Sequence, residues 1–189
     1  GEMPWWGEWW WFEFSMEDAS LACQVRIARL PHQGRYEYWA ALTGTGRLPV
    51  VVLDNDVPPP RRAGSLEIRT DGLWADHIVE QPFEQVTVGC EAFALRIDSP
   101  SELKREPVLG ERVPFGLDME WETWPPGAPA APLERSAATE AGPALTGYRL
   151  PCEAHGLVLV GDDELHLEAQ GARAHAWGDL GGPYVPQLT

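Results

Sequence analysis

The sequence predicts an all-β protein, built as an antiparallel sandwich or a closed barrel with few or no long helices. Three observations carry this. Apolar residues recur with period two along most of the chain, as they do in strands with one buried face. Turn-forming dipeptides fall between those runs, where hairpins need them. No stretch of the 189 residues holds a 3.6-residue apolar pattern for three turns. The length fits one domain over residues 1–189.

The elements follow in order. Trp9 to Phe14 is the first strand. In the second, Leu21, Cys23, Val25 and Ile27 alternate with Gln24 and Arg26. Tyr36 to Thr43, Leu48 to Leu53, Leu66 to Thr70, Leu73 to Glu80 and Val86 to Gly89 come next. The apolar phase then shifts to Phe93, Leu95 and Ile97, which predicts a bulge or tight turn near Gly89. Ser99 to Arg105 is long enough for a short helix. Phe115, Leu117, Met119 and Trp121 alternate with Asp118, Glu120 and Glu122. Tyr148 to Ala154, Leu157 to Val160 and Leu165 to Ala169 complete the set. Turns are expected at Gln33-Gly34, Thr45-Gly46, Asp71-Gly72, His155-Gly156 and Gly161-Asp162-Asp163. Asp54 to Ala63 and Pro125 to Pro143 are rich in proline and read as irregular, the second as a linker or lid.

Composition excludes several classes of partner. A net charge of −15 opposes binding to nucleic acid or to an anionic membrane, since both are polyanions. The apolar runs are far shorter than a membrane span, and no basic region precedes an apolar stretch as in a signal peptide. Cys23, Cys90 and Cys152 are far apart and odd in number, which suits buried free thiols in a reducing, cytoplasmic setting. The histidines show no metal-ligand spacing, and no nucleotide, zinc-protease or serine-hydrolase motif is present. No metal and no cofactor are therefore expected.

The aromatic residues are the main functional signal. Trp5, Trp6, Trp9, Trp10 and Trp11 lie within the first eleven residues. Strand alternation sends Glu8, Trp10, Phe12 and Phe14 to one face and Trp9, Trp11 and Glu13 to the other. Only one face can line a lumen. Trp10 and Phe12 are the candidates for it, because Glu8 on their face supplies a polar handle. Trp39, Trp74 and Trp121, each on a predicted strand, are further candidates for an aromatic wall.

Two motifs carry a family resemblance. Glu8-Trp9-Trp10-Trp11-Phe12-Glu13-Phe14 resembles the E-W-W-[YW]-[FW] opening of the AttH-like and carotenoid 1,2-hydratase-like proteins. Gly171-Ala172-Arg173-Ala174-His175-Ala176-Trp177-Gly178 resembles their G-x-R-D-H-S-W-G signature. The resemblance implies a lipocalin-like antiparallel β-barrel, often doubled, that takes polyenes, terpenoids or polyketides. It also implies cofactor-free hydration, isomerisation or pericyclic cyclisation. The chain is about half the usual two-barrel length. Ala174 and Ala176 replace the signature's Asp and Ser, so an Asp–His pair is lost there. Arg173, His175, Trp177 and Gly178 remain, either as a structural corner or as ligand contacts.

Acid–base candidates follow from that chemistry. His175 and His77 can exchange protons near neutral pH. Asp118 and Glu120 read as a solvent face. Were their strand inverted, they would be carboxyls in an apolar cavity, where burial raises the pKa towards that of a proton donor. Protonation of a polyene needs such a group. Shape-driven cyclisation needs only confinement and a few donors, such as Tyr36, Tyr38 or Arg173. The expected partner is thus a hydrophobic small molecule. A non-catalytic carrier and a carbohydrate-binding sandwich with exposed coplanar tryptophans are the alternatives.

Overall fold

A computed structural model describes residues 5–62, 64–105, 107–133 and 144–179. Among them are eleven strands: β1 (Trp6–Ser15), β2 (Ala22–Leu30), β3 (Arg35–Thr43), β4 (Val50–Val57), β5 (Ile68–Thr70), β6 (Leu73–Gln81), β7 (Gln85–Arg96), β8 (Glu111–Thr123), β9 (Ala131–Pro132), β10 (Ala144–Val160) and β11 (Asp163–Asp179). All the pairings are antiparallel. The all-β expectation holds, and no helix among the described residues is long and apolar enough to cross a membrane.

The sheet runs β4-β3-β2-β1-β11-β10-β8-β7-β6-β5 and returns on itself through a β4–β7 contact. That contact consists of Val50 opposite Arg96 and Val51 opposite Leu95. Eight strands thereby form a ring. β6 takes the rest of the same edge of β7, and the β5–β6 hairpin fills the gap beside β4. Thr70 Oγ1 donates to Asp54 Oδ2 at 2.9 Å, tying β5 to β4.

Period-two sequence puts one face of each strand inside the ring. Phe12, Phe14, Val25, Ile27, Tyr38, Leu42, Val88, Leu117, Met119, Trp121, Leu150 and Val158 belong to one buried cluster. Side chains fill this part of the interior, as in a close-packed core. Trp121 anchors it: its ring is fully buried, and its Nε1 donates to the Glu13 carbonyl at 3.0 Å. Gly171 makes that contact possible, because a Cβ there would lie 2.4 Å from the same carbonyl oxygen.

Four of the five expected turns appear, with Gly34, Gly46, Gly72 and Gly161 at positive φ. The fifth does not. β10 runs unbroken through His155-Gly156, and Gly156 instead allows close strand approach, since a Cβ on it would lie 2.2 Å from the Asp118 carbonyl. The phase shift expected near Gly89 is also absent. Val86, Val88, Cys90 and Ala94 all stay buried, and Phe93 is exposed on the outer face beneath the Arg112 guanidinium. Gly89 leaves room for the Trp74 ring, which would lie 3.3 Å from an added Cβ. The helix expected at Ser99–Arg105 is a short 3₁₀ turn, Pro100–Lys104, capped by Ser99. Of the irregular segment 125–143, β9 pairs with β10, and positions 134–143 lie outside the described residues.

Candidate functional site

The inward face changes character towards one end of the ring. On β1 it passes from Phe14 and Phe12 to Trp10 and Glu8. On β11 the residues opposite them are Gly171, Arg173, His175 and Trp177. Tyr148 of β10 lies opposite His175, and Arg29 of β2 lies opposite Glu8. Residues from four strands thus meet at a half-buried mouth.

The centre of the mouth is an imidazole held on three sides. His175 stacks on Trp10, with ring centroids 4.9 Å apart and an interplanar angle of 10°. Trp177 packs at 4.9 Å and Tyr148 meets it edge-on at 5.7 Å. His175 Nε2 lies 2.9 Å from Glu8 Oε1, and Arg29 Nη1 donates to Glu8 Oε2 at 3.4 Å. Glu8 therefore links a cation to the imidazole and fixes the orientation of the ring, as carboxylates do for working histidines. Tyr36 lies within the field of the Arg29–Glu8 pair, and burial pushes its phenol upward from the usual range. Phe83, at the tip of the β6–β7 hairpin, extends the wall by packing against Tyr148 at 5.1 Å.

Behind the mouth lies Arg173. It is buried, and its Nη2 donates to Thr123 Oγ1 at 3.1 Å. Thr123 in turn donates to the Phe83 carbonyl at 2.6 Å, so a polar relay joins β11 to the hairpin tip. Phe83 adopts φ 65° there, a conformation that a bulky side chain takes only under constraint.

The remaining expected site residues are dispersed. Phe12 and Trp121 are core, their rings 5.5 Å apart. His77 is inside the ring against Phe12 and Tyr38, and burial pushes its pKa down to about 3. It is a neutral imidazole at physiological pH and is no proton donor there. Asp118 and Glu120 face outward, so the inverted alternation that would bury them does not occur. Glu120 accepts from Gln85 Nε2 at 2.7 Å and lies 3.5 Å from His155. Glu120, Glu122 and His155 are a group among the described residues whose ligand atoms approach within 4.8 Å, on this solvent-facing side. Trp39 also faces outward and lines an open cleft of about 410 Å³ with Trp11, Arg26 and Arg149. Trp74 lines another cleft with Phe93 and Phe115. Trp124 is the exposed indole among the described residues, the other described tryptophans being half-buried or buried.

Sequence reading missed Arg29, Tyr148, Phe83 and Thr123. Tyr148 alternates with the inward Leu150 and Cys152, which was the available signal. The registers that bring these four residues to the mouth were not available.

This arrangement defines a class: an all-β protein with a lipocalin-like fold and an aromatic, polar-backed mouth. The chain belongs to the family described as a domain of unknown function, DUF7064, whose profile matches residues 1–180. No curated protein matches it. Among solved structures it is similar to a protein provisionally described as AttH from Nitrosomonas europaea, at 14% identity and a TM-score of 0.55, over 95% of this chain and 53% of that one. It is also similar to CghA, solved with Sch210972, at 14% identity and a TM-score of 0.48, over 92% of this chain and 46% of that one. The chain thus spans about half the length of these neighbours.

Proposed function

We propose that the mouth binds a hydrophobic, conjugated small molecule of the polyene, terpenoid or polyketide kind. We further propose that His175, held by Glu8, moves a proton on that molecule in a cofactor-free isomerisation, hydration or cyclisation. The observation that carries this is the Glu8–His175 contact at 2.9 Å, set against the stacked Trp10 ring. An apolar wall with one oriented acid–base group is what such chemistry asks of a protein. Indole faces also favour a developing carbocation. The motif resemblance points the same way.

Titration with all-trans-retinol, read by tryptophan emission, tests the binding half. Saturable quenching is expected, weakened roughly tenfold or more by Trp10→Ala. Among compounds that bind, His175→Ala is expected to slow turnover by roughly 10²–10⁴ while leaving affinity nearly unchanged. Binding without turnover in the wild type would make the chain a carrier. Unchanged retinol affinity in Trp10→Ala would remove the mouth from the account.

A further inference from the structure

The guanidinium behind the mouth is an unbalanced charge. Arg173 is 7% exposed. It faces inward between Phe12 of β1 and Leu150 of β10. Its Nη2 donates to Thr123 Oγ1, and the guanidinium also acts on the neighbouring Cys152 thiol. Its Nε is buried and has no partner. Among the described residues no carboxylate lies within ion-pair distance of it.

That arrangement is costly, because a buried charge is tolerated when paired and fully hydrogen-bonded. Pairing, if not full hydrogen bonding, is what the other buried charge has. Glu37, 2% exposed, is flanked by Arg35 at 3.0 Å and Arg26 at 3.7 Å. Acids are not scarce either, with 29 Asp and Glu in the chain, yet among the described residues none forms an ion pair with Arg173. A guanidinium has five N–H donors in a planar fork, and on Arg173 the buried Nε–H is the one left without a partner. Tyr148, whose phenol lies within the field of Arg173, adds an O–H on the mouth side.

We infer that the ligand of the mouth carries an anionic oxygen group, a carboxylate or an enolate, and that Arg173 pairs with it through Nε and a free Nη hydrogen. This rests on the reading that the mouth binds a conjugated hydrophobic molecule, and it narrows that class to acids. A fork-on-carboxylate contact is short, directional and stronger than a neutral hydrogen bond. The ligand then supplies the counter-charge that the fold omits.

All-trans-retinoate and all-trans-retinol share one polyene and differ in the end group, so they separate the two claims. Wild-type protein is expected to bind retinoate roughly tenfold or more tightly than retinol, read by tryptophan quenching. Arg173→Met is expected to bring retinoate down to the retinol level, with retinol itself unchanged and the thermal midpoint of the free protein not lowered. Arg173→Lys should restore part of the preference. Should Arg173→Met fail to fold, the wild-type Arg173 Nε–H resonance serves instead, shifting with retinoate and not with retinol. Equal affinity for the two compounds in the wild type would overturn the inference. So would an Arg173→Met protein that loses both alike, since Arg173 would then be propping the wall. Binding of neither compound would overturn the mouth reading itself, and this inference with it.

Discussion

Arg173, His175 and Trp177 lie opposite Phe12, Trp10 and Glu8, while Ala172, Ala174 and Ala176 stay out of the interior core cluster; Ala172 and Ala174 line the outer cleft, and Ala176 is buried opposite Trp9. The two positions at which this chain departs from the signature, Ala174 and Ala176, are thus both on the face of β11 opposite to His175. Their loss of polar groups does not touch the His175 cluster, where Glu8 of the neighbouring strand provides the carboxylate. Strand alternation made the choice of Trp10, Phe12 and Glu8 as one face legible from sequence. It could not say that Phe12 would be sealed in the core while Trp10 reached the mouth, because depth along the ring depends on strand register. His77 gives a test at this scale. Its folded pKa of about 3 lies below the unfolded value near 6.5. Between those values the unfolded chain binds a proton that the folded one refuses. The His77 contribution is whole above about pH 6.5 and is lost as pH falls towards 3, at up to about 1.4 kcal/mol per pH unit. Denaturant unfolding of His77→Leu across this range is expected to show a slope flatter by one proton. An unchanged slope would mean that His77 is protonated or solvated in the folded state.

At the scale of elements, β1 and β11 form the spine of the site. Their register sets Trp10 opposite His175 and Phe14 opposite Gly171. Gly171 opens the signature for a steric reason: Glu13 and Trp121 leave no room for a methyl group. Gly171→Ala is expected to cost about 1–3 kcal/mol through overpacking, read as a lowered denaturation midpoint. A neutral result would show that β1 can move away from β11 freely and that the register is soft. The expected turns whose glycines take positive φ were legible because αL geometry is a local demand. Gly89 and Gly156 were misread as breaks for the opposite reason. Each serves a neighbour on another strand, the Trp74 ring in one case and the Asp118 carbonyl in the other. Nothing in the local sequence distinguishes a glycine that turns the chain from one that admits a partner.

For the whole molecule, alternation announced an antiparallel all-β fold but left a sandwich and a ring equally open. The deciding contact, Val50 and Val51 against Arg96 and Leu95, joins segments far apart in sequence and has no local signature. Ring closure sets the inside apart from the outside, and with it the mouth apart from the outer clefts beside Trp39 and Trp74. The net charge of −15 also belongs to this scale. It makes the average field around the protein unfavourable to an anion, so any preference for an acid must come from the local charge of Arg173. The chain has ten tryptophans, and their indole N–H resonances report on each of these places separately. Titrating all-trans-retinol into ¹⁵N-tryptophan-labelled protein is the most direct test of mouth binding. Saturable shifts of the Trp10 and Trp177 resonances are expected, with Trp39 and Trp74 unmoved. Shifts confined to Trp39 or Trp74 would place the ligand on the outside of the ring and contradict the account.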